Sequence, residues 1–156
     1  MDMTVTSNLS LIHHLSASTP RIAQKYIDRP LLLKNKKFDL RFIIAVKKIF
    51  PLEIYIYEKF WIRSANEDYN LDERQRYNYT THFTVMNYGS NQLKKILCDE
   101  FIEELEQRNI AWAPIYSKIQ TLVKELFTAS YIAHPELHNK WSRAVYGLDL
   151  MIDQNL

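Results

Sequence analysis

The spacing of apolar residues predicts a series of short strands followed by helices. Val5, Leu9 and Ile12 recur at helical spacing, which predicts a short helix that ends before Ser18. Period-two patterns rich in β-branched and aromatic residues then predict strands over residues 21–27, 38–48, 53–57 and 60–64. The turn Phe50-Pro51-Leu52 makes the second and third of these strands an antiparallel pair.

The second half of the chain favours helices. Residues 66–81 are polar and lack a clear period, which predicts a long loop that is either functional or mobile. Two helices follow, with apolar stripes formed by Leu93, Ile96, Leu97, Phe101, Ile102 and Leu105 and by Ile115, Ile119, Leu122, Val123, Leu126 and Phe127. The segment SRAVYGLDLMID, residues 142–153, predicts a buried strand with one interior charge, Asp149. The predicted fold is α+β, with a mostly antiparallel sheet and helices grouped in the second half.

One predicted strand begins with the charged segment KKFDLRF, residues 36–42. Successive strand side chains point to opposite faces, so Lys37, Asp39 and Arg41 share one face. Residues 43–46 are apolar and predict coverage on both faces, which places the charges where the strand enters the interior. Charges there are costly unless they are paired or bound. Two interpretations remain open: the solvated side of a half-buried strand, or a site for phosphate, metal or carboxylate.

The amino-acid composition excludes several classes of partner and binding site. The chain has 156 residues, 47% of them hydrophobic, which suits one cored domain. A net charge of +2 is too small to create a strong positive potential that would attract nucleic acid, so nucleic acid is not expected as a partner. The apolar runs are too short to span a membrane, so a membrane is not expected as a partner either. Only Gly89 and Gly147 are present, too few for a glycine-rich phosphate loop. Cys98 is the single cysteine and fits a reducing compartment, which predicts a cytoplasmic location.

Four blocks in order along the chain resemble the tubulin tyrosine ligase-like family. They are QKYIDRPLLLKNKKFDLRFIIAV from residue 24, IYIYEKFWIRSANEDY from residue 54, HFTVMNY from residue 82 and SRAVYGLDLMID from residue 142. The resemblance implies an ATP-grasp fold, with residues 1–18 as a helical lead-in and residues 19–156 as a partial domain. It also implies that the N-terminal part and the last C-terminal strand of that domain are lacking.

The resemblance assigns the nucleotide-binding residues. Gln24, Lys25, Tyr26 and Ile27 match the family's hinge strand, which receives adenine through backbone groups; without the resemblance they predict only a core strand. Lys37 matches a phosphate-contacting lysine, and Asp39 matches an aspartate of the nucleotide site. The implied cofactors are ATP and Mg²⁺.

The resemblance also assigns residues to catalysis and metal binding. Arg41 matches an arginine at the phosphate and acceptor end, and Arg63 matches one that grips a carboxylate, for which a guanidinium fork is suited. Asp149 matches a magnesium ligand, since Mg²⁺ prefers oxygen ligands. The alternatives are a surface role for Arg63 and an ion pair with Lys or Arg for Asp149.

Two departures from the family pattern bear on activity. The family's compact His-Leu-Thr-Asn run is stretched here between His82 and Asn87, and Asn87 is the better match. The strand expected to carry two further metal ligands falls beyond Leu156, so the isolated chain is predicted to be inactive. The resemblance implies part of an ATP-dependent amino-acid ligase that modifies a protein acceptor, with tubulin favoured, through an acyl phosphate. The alternative is a catalytically inactive ligase-like pseudoenzyme that acts as a protein-interaction or regulatory module. With either function, the expected location is the cytoplasm, with association to microtubules.

Overall fold

The computed structural model describes residues 5–15, 20–72, 78–84 and 95–156. The chain divides into two compact units. Unit 1 comprises Met1–Phe38, Ser64–Leu93 and Ile152–Asn155, and unit 2 comprises Asp39–Arg63, Lys94–Met151 and Leu156. Within the described residues, no helix has the length and apolar character needed to cross a membrane.

In the part of unit 1 that the structure describes, a tight hairpin is accompanied by two short helices. β1 (Leu32–Leu33) pairs antiparallel with the start of β2 (Lys36–Lys48). Lys34 and Asn35 form the two-residue turn with φ values of 49° and 64°, the backbone that such hairpins require at both positions.

The helices of unit 1 both begin at an asparagine. α1 (Leu9–His13) and α2 (Tyr79–His82) are capped by Asn8 and Asn78, whose side chains accept backbone hydrogen bonds. α2 therefore lies at the end of the polar stretch for which the sequence predicted only a loop.

Unit 2 contains an antiparallel sheet with β2 at its centre. Ala45 of β2 faces Tyr55 of β3 (Glu53–Ile56) and Val145 of β6 (Ala144–Leu150), so β2 lies between these two strands. β4 (Trp61–Ser64) neighbours β2 and pairs with β5 (Lys95–Leu97). Ile44 and Val46 of β2 are buried while Ile43 and Ala45 are half-buried, so the predicted coverage of both faces is only partial.

Two helices complete unit 2. α3 (Cys98–Gln107) buries Phe101 and Leu105, and α4 (Trp112–Ala133) buries Ile115, Ile119 and Val123. These positions recur every three or four residues, so each helix turns one apolar stripe inward. A 3-10 turn, Pro135–Leu137, follows α4.

Aromatic rings link the helices of unit 2 to its sheet. Phe60 stacks on Phe42 with ring centroids 4.7 Å apart and on Trp112 at 5.1 Å. Such pairs add to the stabilisation that comes from burial alone. The predicted α+β class, with an antiparallel sheet and helices mostly in the second half, is confirmed.

The predicted strand over residues 21–27 is wrong. This segment forms no ladder with any part of the chain that the structure describes. Ile22 is 92% exposed, and within the segment only Tyr26 is half-buried. The β-propensity of isoleucine and tyrosine reflects packing against neighbouring strands, so it does not create a strand where none is available.

Two further predictions need correction. Residues 95–97 were expected to begin a helix, but they form β5, in which Ile96 pairs with Ile62. A short apolar run fits both a helix and a strand, and the neighbouring β4 decides between them here. β6 forms as predicted but is not buried: Val145 is 72% exposed, because among the described strands β6 pairs only with β2.

Candidate functional site

Four charged side chains converge in unit 2 and form the carboxylate–arginine cluster, which consists of Asp39, Arg41, Arg63 and Asp149. β2 carries Asp39 and Arg41, β4 carries Arg63, and β6 carries Asp149. The antiparallel register sets Arg41 directly opposite Asp149. Nη1 of Arg41 donates a hydrogen bond to Oδ1 of Asp149 at 2.7 Å. Strand pairing thus brings together residues that are distant in sequence.

Arg63 is held by both carboxylates of the cluster. Its Nε donates to Oδ1 of Asp39 at 2.7 Å, and its Nη2 lies 2.9 Å from Oδ1 of Asp149. The side chains of Arg63 and Asp39 are only 17% and 7% exposed. Nη2 of Arg63 is buried, and its contact with Oδ1 of Asp149 is an ion pair that falls outside ideal hydrogen-bond geometry. Because Nη2 carries two N–H groups, this edge of Arg63 is suited to an added anion.

Gly147 makes room for Arg41. A Cβ atom at Gly147 would lie 2.0 Å from Nη2 and 2.2 Å from Cζ of Arg41. The guanidinium therefore crosses β6 at a position where any other residue would displace it. One of the two glycines of the chain is explained by this close approach.

The cluster balances two carboxylates against two guanidinium groups. Partial burial acts to raise the pKa of Asp149, but the contacts from Arg41 and Arg63 outweigh it, so the pKa lies below its ordinary value. Burial acts to lower the pKa of Arg63, and the contacts with Asp39 and Asp149 shift it upward overall. Asp149 and Arg63 are therefore charged near neutral pH, and the formal charges of the two carboxylates and the two guanidinium groups cancel.

Asp149 is engaged in an ion pair, which was the alternative to a metal ligand. Its hydrogen bond and ion pairs all go to Oδ1, so Oδ2 has no donor among the described residues. Those residues contain no group of three His, Cys, Asp or Glu side chains that could hold a metal. Mg²⁺ commonly uses one or two carboxylates together with substrate phosphates and waters. Oδ2 of Asp149 fits that pattern, and its metal role stays a prediction.

Unit 1 holds a separate pocket, the hinge pocket, of about 330 Å³. Its lining consists of Lys25, Tyr26, Ile27, Asp28, Arg29, Asp153 and Asn155. The wall is fixed by a hydrogen bond from Gln154 N to Arg29 O and by a bridge between Pro30 and Asp153. Three of the four residues matched to the adenine-binding hinge line this pocket, and Gln24 does not.

Tyr26 joins the hinge pocket to the Tyr26 cluster, which consists of the half-buried Tyr26 and Tyr69 and the buried Lys37 and His82. Nζ of Lys37 lies 4.0 Å from the centroid of the Tyr26 ring. The Tyr26 hydroxyl lies 2.9 Å from Nδ1 of His82. Lys37 and His82 are each 3% exposed. Burial, followed by the contact with Tyr69, raises the pKa of Tyr26, so its hydroxyl stays protonated.

The structure thus assembles two groups from the residues singled out in the sequence. Asp39, Arg41, Arg63 and Asp149 meet in unit 2, and Lys37 meets Tyr26 in unit 1. Asn87 lies outside the described residues. Sequence reasoning missed Tyr69, whose hydroxyl donates to Asp28 O at 2.8 Å; its only signal was its place at the end of the second matched block.

Comparisons with known proteins agree with the resemblance in the sequence. The model of the tubulin-tyrosine ligase family matches residues 1–156. Tubulin--tyrosine ligase-like protein 12 of Homo sapiens is 34% identical over 163 residues, which cover 97% of this chain and 25% of that protein. Its Caenorhabditis elegans counterpart is 37% identical, with 97% and 24% covered. Tubulin glycylase 3E of Tetrahymena thermophila is 32% identical, with 86% and 10% covered. The chain spans about a quarter of the length of the first two relatives.

Proposed function

Because the chain belongs to the tubulin-tyrosine ligase family, we propose that it supplies part of an ATP-dependent ligase that joins an amino acid to a protein acceptor. Two of the matched relatives are named as a tubulin–tyrosine ligase-like protein and as a tubulin glycylase, which favours tubulin as the acceptor. The predicted cytoplasmic location is compatible with that acceptor.

The carboxylate–arginine cluster carries the proposal. Arg63 is largely buried and oriented by Asp39, and its Nη2 is ion-paired with Oδ1 of Asp149 without ideal hydrogen-bond geometry. A carboxylate or phosphoryl oxygen placed at this edge would accept a charge-assisted hydrogen bond from the second N–H of Nη2.

The proposed chemistry transfers the γ-phosphoryl group of ATP to a substrate carboxylate, which yields ADP and an acyl phosphate. An amine then attacks the carbonyl carbon, phosphate leaves, and the nitrogen releases a proton as the amide forms. Bound Mg²⁺ neutralises phosphate charge in such reactions, which otherwise depend on positioning and electrostatic stabilisation.

In unit 2, the arginines are the groups that meet negative charge. Arg63 presents Nη2 to the substrate carboxylate, and Asp39 keeps its guanidinium from rotating. Arg41 provides a second positive charge, held by Asp149. Asp149 Oδ2 is the atom with which the chain would contribute to Mg²⁺ binding.

In unit 1, the hinge pocket is proposed to take the nucleobase. A volume of about 330 Å³ lies at the lower end of the range for ligand pockets. Residues 21–27 form no strand, so the backbone groups of Lys25, Tyr26 and Ile27 are not committed to a ladder. Adenine is recognised by such backbone donors and acceptors. Lys37 is proposed to contact the phosphates.

The experiment that tests this function follows the transfer of labelled tyrosine, glycine or glutamate to tubulin by the full-length protein. Arg63→Ala is expected to lower Mg·ATP-dependent transfer by at least a hundredfold, because removal of a preorganised donor has effects of about that size. Arg143→Ala is the matched control, since the hydrogen bonds that the described residues give Arg143 go to the backbone oxygens of Lys140 and Ser142. Equal transfer by the two variants would contradict the role of Arg63.

A second candidate function is that of a ligase-like protein without catalysis that acts through protein contacts. The observation in its favour is the pairing of both arginines with carboxylates, which makes the cluster neutral. Under this alternative, the wild-type full-length protein binds tubulin without transferring any of the three labelled amino acids.

A further inference from the structure

Tyr26 lies at the centre of the Tyr26 cluster in unit 1. Its ring faces the ammonium of Lys37 at 4.0 Å, and its hydroxyl meets Nδ1 of His82 at 2.9 Å. A cation at this distance from the face of an aromatic ring is attracted by the ring's quadrupole, and the attraction grows when water is excluded. Lys37 is 3% exposed, so the contact lies in a largely dry environment.

The orientation of the Tyr26 ring is fixed from a second direction. His82 ends α2, and its ring also meets the edge of Tyr69 with centroids 5.9 Å apart. Tyr69 in turn donates to Asp28 O in the wall of the hinge pocket. His82 is therefore held between two tyrosines and anchors the Tyr26 hydroxyl.

We infer that Tyr26 is a positioning residue for Lys37: its ring, anchored through His82, holds the lysine ammonium in a fixed direction. This inference rests on the proposed contact between Lys37 and nucleotide phosphates. A flexible lysine side chain loses rotamer freedom when it binds an anion, and an ammonium that is already held loses less. The Tyr26 ring thus strengthens binding of the phosphate end of ATP, whereas the proposed contact of this residue with adenine uses its backbone.

A comparison of two ligands separates this role from a direct contact with adenine. The full-length protein is titrated with Mg·ATP and, separately, with adenosine, which lacks the phosphates. Tyr26→Leu is expected to weaken Mg·ATP binding about tenfold, the size of a desolvated cation–π contact, and adenosine binding less than twofold. Tyr26→Phe retains the ring and is expected to lose less affinity than Tyr26→Leu.

A double-variant cycle tests whether the effect passes through Lys37. In a Lys37→Met background, Tyr26→Leu is expected to cause no further loss of Mg·ATP affinity, because the positioned group is gone. Tyr57→Leu, an exposed tyrosine of unit 2, is the control for loss of a tyrosine side chain. Equal losses for adenosine and Mg·ATP, or additive effects of the two substitutions, would overturn the inference.

A second measurement decides the inference without any nucleotide. Acetic anhydride acylates accessible lysines, and mass spectrometry reports the extent at Lys37. Acylation of Lys37 is expected to rise severalfold in Tyr26→Leu and to rise less in Tyr26→Phe, which keeps the ring but loses its contact with His82. Unchanged acylation in Tyr26→Leu would overturn the inference. If the wild-type protein fails to bind Mg·ATP, the proposed function is contradicted. The acylation measurement still shows in that case whether Tyr26 holds Lys37.

Discussion

Arg63 and Asp39, which lie on different strands, form a buried ion pair with Nε and Oδ1 2.7 Å apart. The side chains are only 17% and 7% exposed, so solvent screens the pair weakly. Removal of one partner of such a pair leaves an uncompensated buried charge, which is more costly than loss of an exposed pair.

Asp39→Asn is therefore expected to lower the free energy of unfolding by about 3 kcal/mol, because it leaves the Arg63 charge without its main partner. Urea denaturation measures the change. Asp99→Asn is the matched control, since Asp99 forms an exposed ion pair with Lys59 at 2.8 Å and its loss should have little effect. Equal effects of the two substitutions would show that the Asp39–Arg63 pair adds nothing beyond a surface contact.

Gly147→Ala is expected to displace Arg41 from Asp149, because the new Cβ would occupy the place of the guanidinium. The free energy of unfolding should change by less than about 1 kcal/mol, since the Arg41–Asp149 pair is partly exposed. Ligation should fall as far as it does in Arg41→Met, and the double variant should fall no further.

Val145→Ala is the control on the same strand, because Val145 is 72% exposed. Full ligation activity in Gly147→Ala would show that the observed position of Arg41 does not matter for function.

The ion pairs of Asp149 predict a loss of stability in acid. The pKa of Asp149 is lowered in the folded state, so the unfolded chain binds its proton more readily. The stabilisation is complete above the ordinary value of 3.8 and is lost as the pH falls through the lower, folded-state value. Urea denaturation between about pH 2 and pH 6 should therefore show a smaller decline for Asp149→Asn than for the wild type.

Glu53 offers a comparison outside the cluster. Hydrogen bonds from Lys47 and Tyr55 lower its pKa to about 2, so Glu53→Gln should also flatten the acid decline. Ligation should be retained in Glu53→Gln and lost in Asp149→Asn. An acid decline in Asp149→Asn as steep as in the wild type would contradict the ion pairs of Asp149.

Sequence periodicity predicted an element correctly where the structure of that element does not depend on a neighbouring strand. β2 forms over the 13 residues Lys36–Lys48, close to the predicted range, and α4 forms over the 22 residues Trp112–Ala133 with Ile115, Ile119 and Val123 of its predicted stripe buried. Residues 21–27 and 95–97 were wrongly predicted because the outcome depends on a neighbouring strand, absent in the first case and present in the second.

The same limit applies to the candidate site. The two-residue alternation of side chains along a strand correctly predicted that Asp39 and Arg41 lie on the same strand. Their partners, Arg63 and Asp149, follow from strand register across long sequence separations, which a local pattern does not contain. The hydrogen bond between Tyr26 and His82, which are 56 residues apart, was not predictable from the sequence for the same reason.

The most direct test of a ligase role measures both ligation and tubulin binding in the full-length protein with Asp149→Ala. The proposal expects Mg·ATP-dependent amino-acid transfer to fall by at least a hundredfold while tubulin binding stays at the wild-type level, because charge stabilisation is lost and the protein surface elsewhere is unchanged. Transfer at the wild-type rate in this variant would contradict the assignment of Asp149 and of the carboxylate–arginine cluster to catalysis.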